Sequence, residues 1–499
     1  MRFIKNIIIA IQSFFINSSR ILVSVPATVG ISALPIRTKI APIWRKIIRY
    51  VLVITGVSAF VLLQIGNARF IISGQWYLLI LVYVVCIGII IIVKSPTWGF
   101  VYWLLLSPFA RVLVTPFTNF KIEFNLVVLT ILLGVLIFKF LADKKKLRAP
   151  NSAEWYLIGY FIYAMIIRNT ENIPERWFYS QLLLTPLVIY YLAKATINTE
   201  RHISWLLTGM MFVGIIWAVF GIYEHHTKQV WYSVLAGRSI GLYGAGSDVE
   251  GGRATGPAGH YYLYGNGIML ATLIVIYKAF WEKRAVIKFA LYSMLPVLAL
   301  GLFYGFTRGP YISYVVAIFV MAFLAKETKK AYVTVSLILS VSIIFLTPII
   351  LSSPKIQARM ESRTDQSRMV TFKTNIDMFL DNFVVGVGMY KNQENIPKYA
   401  SYKHLASRDQ SGLVTYRARP HNETLLVATE LGVIGLVLFY GCIFSFIRHL
   451  LIIKRKMKRN KYIGSDVLAL AVAFNIGVLV SMITDEFQQW PYMYFLMFT

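Results

Sequence analysis

The hydrophobic positions of this chain fall into long apolar runs separated by short polar connections. Thirteen runs carry few or no charges and are ~17–25 residues long, the length that an α-helix needs to cross a bilayer. They are centred near residues 57, 84, 105, 133, 160, 187, 213, 271, 297, 318, 341, 435 and 475. A fourteenth apolar run begins at Trp490 and is either re-entrant or continues in a longer protein. The pattern predicts an all-α polytopic membrane protein with about 13–14 transmembrane helices.

Residues 1–46 form a basic segment that precedes the first run. Their apolar side chains recur on one helical face, at Ile4, Ile7, Ile8, Ile11, Phe14 and Phe15. Gln12 interrupts the apolar stretch, and no site of small residues for signal-peptide cleavage follows it. We therefore expect an amphipathic helix at the cytoplasmic membrane surface rather than a cleaved signal peptide.

Composition and charge agree with this topology. Hydrophobic residues make up 57% of the 499 residues and charged residues 14%, whereas soluble domains carry about 25% charged residues. With the N-terminus in the cytoplasm, the inward segments hold 30 of the 50 Lys and Arg residues, with "DKKKLR" and "KRKMKRNK" as the densest clusters. This asymmetry follows the positive-inside rule and predicts a multi-pass protein of the cytoplasmic (inner) membrane. Both cysteines, Cys86 and Cys442, lie in predicted spans, so no disulfide framework is expected.

Two external stretches interrupt the short connections. A Gly-rich loop at about 224–260 lies within the first eleven predicted helices, residues 47–351. A large extracytoplasmic loop follows at residues 352–420, and the C-terminal transmembrane helices occupy residues 421–499. In the large loop, "SRMVTFKTNIDMFLDN" places apolar residues at three- and four-residue spacing, which predicts an amphipathic helix on the membrane or over a cavity.

Arginines stand beside glycine or proline near predicted helix ends on this external face. Arg253 precedes the eighth span, Arg308 lies in the turn "FTRGPY", and Arg417, Arg419 and His421 precede the twelfth span. Helix N-termini favour anions, and the guanidinium fork matches phosphate oxygens. The pattern indicates a binding site for a lipid-linked diphosphate at the membrane surface.

Each of these features also has a simpler interpretation. Arginines that flank spans often extend to the lipid headgroups, and a Gly-rich loop is often only flexible. The pair His421 and Asn422 is typical of a helix cap, and Glu430 could satisfy polar groups of a neighbouring helix. Convergence on one face of the membrane favours the functional interpretation, as does an ionisable residue within a span.

Four stretches carry a family resemblance: "RATGPAGHYYLYGNGIML", "GFTRGPYISYV", "FVVGVGMYKN" and "RPHNETLLVATELGVIGLVLF". Over roughly residues 200–450 the chain resembles the O-antigen ligase/polymerase superfamily of polytopic membrane glycosyltransferases with a large external loop. The resemblance implies glycan transfer from a polyprenyl-diphosphate-linked oligosaccharide to a sugar hydroxyl, outside the cytoplasm and without a metal or other cofactor.

Carried over by position, the resemblance gives roles to individual residues. Arg253 and Arg308 would clamp the diphosphate, and His421 would act as general base towards the acceptor hydroxyl, a role that suits the imidazole pKa. The further site candidates are substrate-binding Arg417 and Arg419 and supporting Asn422 and Glu430. The expected partners are the lipid-linked donor, a glycan acceptor and the bilayer, with a chain-length regulator as a further candidate and no nucleic acid.

Several alternatives stay open. Polymerisation of lipid-linked repeat units is favoured over ligase-type transfer to a terminal lipid or cell-wall acceptor, because a growing chain needs a wider site. A flippase or transporter of the same lipid-linked oligosaccharides would bind its substrate near the bilayer midplane, where Glu430 is the clear ionisable residue. A metal-dependent glycosyltransferase is disfavoured because the first external loop contains Arg69 and no carboxylate.

Overall fold

The structure is a computed structural model that describes part of the chain. The described residues are 87–106 (without 89 and 93), 130–137, 150–167, 187–231, 249, 253–338 (without 259), 365–399, 406–408, 414–416, 420, 422–457 and 462–484. The labelled helices are α1 Pro96–Leu106, α2 Ser152–Ile167, α3 Leu187–Thr196, α4 Glu200–Thr227, α5 Tyr261–Trp281, α6 Ala285–Tyr304, α7 Arg308–Leu324, α8 Asp365–Asp381, α9 Asn392–Tyr399, α10 Glu423–Lys456 and α11 Ser465–Met482. Further helical residues lie at 130–137 and 329–338.

Five of these helices, α4, α5, α6, α10 and α11, are long and apolar enough to cross a membrane, and α2, α3 and α7 are shorter apolar helices. The expectation of an all-α polytopic membrane protein is confirmed. α6 directs Val286 and Phe289 outward, with 81% and 76% of each residue exposed, as expected for side chains that face lipid. Residues 1–46, the span expected near residue 57 and the fourteenth run lie outside the described residues.

Helix α5 is the centre of the described bundle and packs against α4, α6, α7 and α11. It is buried on all sides, so its apolar residues do not form a single stripe. Close approach to α4 depends on small residues: a Cβ on Gly267 would lie 2.3 Å from the Trp217 ring, and one on Gly214 would lie 2.2 Å from the Cβ of Ala271. Small residues at such crossings let helix backbones approach closely in membranes.

The amphipathic helix predicted in the large external loop is present and corresponds to α8. α8 packs against α9 and α10, and Met378 and Ile396 are the buried centre of the α8–α9 contact. Besides Met378, the buried residues of α8 are the polar Thr371, Thr374 and Asn375. Met369 and Phe372, which belong to the apolar stripe, are exposed. Beyond α9, strands β1 Ala406–Arg408 and β2 Val414–Tyr416 pair antiparallel. The start of the apolar stripe, at Met369 and Phe372, therefore faces away from the protein, while Ile376 and Phe379 are half-buried.

Helix α10 is broken at Gly432, which has φ +63° and ψ −164°. The segment after α8 crosses α10 at this break and forms hydrogen bonds with backbone groups that the break leaves unpaired within the helix. Val387 N–H donates to the Thr429 carbonyl and Gly388 N–H to the Glu430 carbonyl, both at 2.9 Å, while Val433 N–H donates to the Phe383 carbonyl at 2.9 Å. We call this contact between residues 383–388 and 429–434 the loop–helix crossing. It fixes the external loop to the outer half of α10.

Candidate functional site

Arg253 is held inside the protein rather than extended to the headgroups. Only 6% of the surface of Arg253 is exposed, and its guanidinium carbon lies 3.3 Å from the centre of the Tyr261 ring. Nε donates to the Gly305 carbonyl and Nη2 donates to Thr307 Oγ1, both at 3.1 Å. Arg253 therefore connects the start of α5 to the turn that joins α6 and α7.

The turn between α6 and α7 presents Arg308 to solvent. Phe306 has φ +43°, and Thr307 occupies the N-cap position of α7, so Arg308 is the first helical residue. Thr307 Oγ1 donates to the Gly305 carbonyl at 2.7 Å, and Ala254 N–H donates to the Tyr304 carbonyl at 2.9 Å. The Arg308 side chain is exposed and forms no hydrogen bond or ion pair with the described residues. Within the described part of the chain it is an unpaired cation at a helix N-terminus, an arrangement that favours anions.

Glu224 anchors the segment that carries Arg253. This glutamate lies in α4, which continues to Thr227, and it is fully buried. Its Oε2 accepts hydrogen bonds from Thr255 N–H at 3.0 Å and Gly256 N–H at 2.7 Å. Gly256 has φ +52°, a conformation that favours glycine. The sequence analysis missed this residue, although a carboxylate near the end of an apolar helix is the signal that would have found it.

The turn after α11, Ile483–Thr484, meets the starts of three helices. Asn422, before α10, donates from Nδ2 to the Ile483 carbonyl at 3.1 Å, and Tyr262 in α5 donates from its hydroxyl to the Thr484 carbonyl at 2.7 Å. A Cβ on Gly309 in α7 would lie 2.2 Å from Thr484 Oγ1. The residues next to Arg308 and next to His421 therefore pack on the same turn, together with the start of α5. No sequence signal pointed to Ile483–Thr484, because the contact is tertiary.

An aromatic cluster adjoins the α6–α7 turn. The His225 ring stacks on Tyr304 with centroids 3.8 Å apart and an interplanar angle of 7°, and Phe306 lies 5.6 Å from His225. His226 Nε2 lies 3.4 Å from the Tyr304 hydroxyl oxygen. The sequence analysis did not single out these residues. The pair of histidines followed by the Gly-rich loop was the available signal.

The remaining predicted site residues divide into described and undescribed ones. Arg417, Arg419 and His421 lie outside the described residues. Asn422 is the N-cap of α10, where its Oδ1 accepts from Leu425 N–H at 2.9 Å. Glu430 is 3% exposed, and its Oε2 accepts from Tyr390 N–H at 2.9 Å.

Glu430 therefore stabilises the external loop beside the loop–helix crossing through the backbone of Tyr390. Across the described ranges, no three His, Cys, Asp or Glu side chains are grouped so that they could hold a metal ion.

Comparison with known families identifies one domain. The family model described as O-antigen ligase matches residues 293–440. This part of the chain is therefore similar to the O-antigen ligase family. The domain includes Arg308, His421 and the loop–helix crossing, whereas Arg253 lies before it. A search of curated proteins finds no match to the chain.

The domain confirms the resemblance to the O-antigen ligase/polymerase superfamily, over a narrower range than residues 200–450. The match over residues 293–440 supports a membrane glycosyltransferase-like enzyme, and the long apolar helices show a multi-pass membrane protein.

Proposed function

We propose that this protein transfers glycan from a polyprenyl-diphosphate-linked oligosaccharide to a sugar hydroxyl on the outer face of the cytoplasmic membrane. The observation that carries the proposal is the convergence of three helix starts on Ile483–Thr484. It supports one site that includes the exposed Arg308 and the residues around Asn422. The O-antigen ligase domain supports glycan transfer as the reaction class.

Arg308 and Arg253 have complementary roles in this proposal. Arg308 binds the diphosphate directly, because it is exposed at the N-terminus of α7. Arg253 fixes the turn through Gly305 and Thr307 and contributes a second positive charge. A diphosphate leaving group gains negative charge in the transition state, and preorganised cations stabilise that charge. The reaction then needs no metal ion.

His421 is the proposed general base. It directly precedes Asn422 in the sequence, and Asn422 caps the start of α10. A neutral imidazole takes a proton from a hydroxyl near pH 7, whereas Arg417 and Arg419 stay protonated and bind anionic groups. Glu430 and Asn422 act as supporting residues, the first at the loop–helix crossing and the second at the start of α10.

The acceptor proposed here is another lipid-linked repeat, so that the product is a polymer. Repeated addition needs a site that accommodates a growing chain, and the long external loop at residues 352–420 is the segment proposed to border it. Transfer to a terminal lipid or cell-wall acceptor is the alternative, and the description of the matched family as O-antigen ligase favours it. A chain-length regulator would act only on the polymerase.

The test uses the purified protein, a lipid-linked repeat and gel analysis of the products. A ladder supports polymerisation, and a single addition supports ligation. His421→Ala should lower transfer by about 10²–10⁴-fold, the usual contribution of a positioned general base. His421→Gln keeps a hydrogen-bonding group without basicity and should be equally inactive. Near-normal turnover of His421→Gln would make this residue a structural cap.

The diphosphate contact is tested separately. Arg308→Lys keeps the charge but loses the planar fork, so transfer should fall about tenfold or more, while Lys330→Gln on an unrelated helix should have normal activity. Normal transfer by Arg308→Lys would refute the bidentate contact and favour headgroup binding by this side chain.

A further inference from the structure

A second group of cations lies at the end of the bundle opposite the candidate active site. α7 begins at Arg308 and ends at Leu324, so Lys326 lies across the membrane from Arg308. α10 likewise begins beside Asn422 and reaches Lys454 near its other end. A shallow cavity of about 440 Å³ lies there, and its lining includes Phe323, Leu324, Lys326, Lys329 and Lys454.

Lys454 has a largely buried side chain and no bonded counter-charge within the described part of the chain. Its residue is 8% exposed, and its ammonium group forms no hydrogen bond or ion pair with any described residue. The Lys326 ammonium is close enough to repel it, while the Asp466 carboxylate attracts it from a distance. Glu327 also lines the cavity. The stem of Lys454 is buried while its ammonium group faces the cavity, where an anion would offset the repulsion between neighbouring lysines.

Asp466 is already committed to other donors. Its Oδ2 accepts from the N–H groups of Glu327 at 3.0 Å and Thr328 at 2.8 Å and from Thr328 Oγ1 at 2.9 Å, and its Oδ1 accepts from Lys326 N–H at 2.9 Å. These bonds cap the helix that follows residue 328. The carboxylate therefore stabilises the backbone of this turn and leaves Lys454 and Lys326 to share an external anion.

We propose that this cavity binds the phosphate group of an anionic phospholipid in the membrane leaflet opposite the candidate active site. A phosphate between Lys454 and Lys326 accepts from both ammonium groups and removes their mutual repulsion, and Lys329 adds a third positive charge. Lysines at the membrane surface attract anionic lipids in this way.

The walls of the cavity favour a lipid over a soluble phosphate. Phe323 is 82% exposed beside the lysines, and Ile453, directly before Lys454, is 47% exposed. A ligand that contacts both the lysines and these side chains must be charged at one end and apolar at the other. Acyl chains of a phospholipid can lie along Phe323 and Ile453 while its phosphate occupies the cavity.

The test measures lipid binding to the full-length protein by native mass spectrometry, with phosphatidylglycerol and phosphatidylcholine at equal concentrations. Wild-type protein should retain phosphatidylglycerol preferentially. Lys454→Gln should bind it about fivefold more weakly, as expected for the loss of one surface-level cation. Lys330→Gln is the matched control, because Lys330 is exposed and does not line the cavity.

Three results would overturn the proposal. They are equal retention of the two lipids, unchanged phosphatidylglycerol binding by Lys454→Gln, and an equal loss in Lys330→Gln. Inorganic phosphate added as a competitor separates the sources: weak competition supports the lipid, whereas complete displacement at millimolar phosphate would assign the cavity to a soluble phosphate instead. Melting temperatures in both lipids verify that the variants are folded, and only wild type and Lys330→Gln should gain stability from phosphatidylglycerol.

Discussion

Replacing Gly432 or Gly386 with alanine should break the loop–helix crossing. A Cβ on Gly432 would lie 2.3 Å from the Val384 carbonyl oxygen, and one on Gly386 would lie 2.4 Å from the Glu430 carbonyl oxygen. These neighbours are backbone atoms, so no side-chain rotation relieves the overlap. The two segments must move apart.

The cost follows from the same geometry. A residue other than glycine at the φ and ψ of Gly432 costs about 1–3 kcal/mol in backbone strain. Separation of the segments also weakens the hydrogen bonds donated by Val387, Gly388 and Val433, each worth about 1 kcal/mol net. We expect a total loss of roughly 2–5 kcal/mol for Gly432→Ala, because some of these bonds survive a small shift.

The assay is thermal unfolding of the purified protein, combined with transfer activity in membranes. Gly432→Ala and Gly386→Ala should each lower Tm and activity. The double variant should lose less stability than the sum of the two single losses, because both changes disrupt the same contact. Gly134→Ala is the control, since nothing lies within 4 Å of its Cβ position and alanine favours a helix by up to about 1 kcal/mol. A wild-type Tm for Gly432→Ala, or strictly additive losses, would refute the crossing.

Two further predictions concern the arginines and the topology. Arg253→Gln should cost roughly 1.5–3 kcal/mol of stability, because the shorter, uncharged amide cannot keep the charged-donor bonds to both Gly305 and Thr307. The exposed Arg308→Gln should change stability by less than about 0.5 kcal/mol. Thermal unfolding of the two variants checks this contrast, and equal losses would contradict it. A cysteine at Lys373 should react with an impermeant thiol reagent in intact cells, and one at Lys330 only after permeabilisation. The reverse labelling would invert the proposed topology.

The sequence predicted the fold class and the helix of the external loop because both depend on local hydrophobic spacing. It did not predict the orientation of α8. Its periodicity identified an apolar stripe, but the protein buries the opposite face, where Asn375 Oδ1 accepts from Asn392 Nδ2. Spacing shows which residues share a face and does not decide whether protein or membrane covers it.

The sequence predicted the parts of the candidate site that lie at helix starts, because local hydropathy and turn residues mark those positions. Arg308 and Asn422 stand at helix starts that hydropathy and turn residues mark in the sequence. Their common neighbour, the Ile483–Thr484 turn, follows α11, and Ile483 lies 61 residues after Asn422 in the sequence. Glu224 and Arg253 likewise form hydrogen bonds with backbone groups, at Thr255 and Gly305 respectively. Every residue has such groups, so the sequence does not show which of them a side chain will bind.

Helix α10 links the external loop to the proposed lipid cavity, and its length makes the two effects separable. At 1.5 Å per residue, Lys454 lies roughly 33 Å along the helix from Gly432. Changes at such a distance without shared partners are additive. Gly432→Ala should therefore lower transfer while leaving the preference for phosphatidylglycerol unchanged. In detergent, Lys454→Gln should lose the preference for phosphatidylglycerol while keeping normal transfer. If either variant altered both readouts, α10 would transmit a change between the two faces of the membrane, and the sites would have to be treated as coupled.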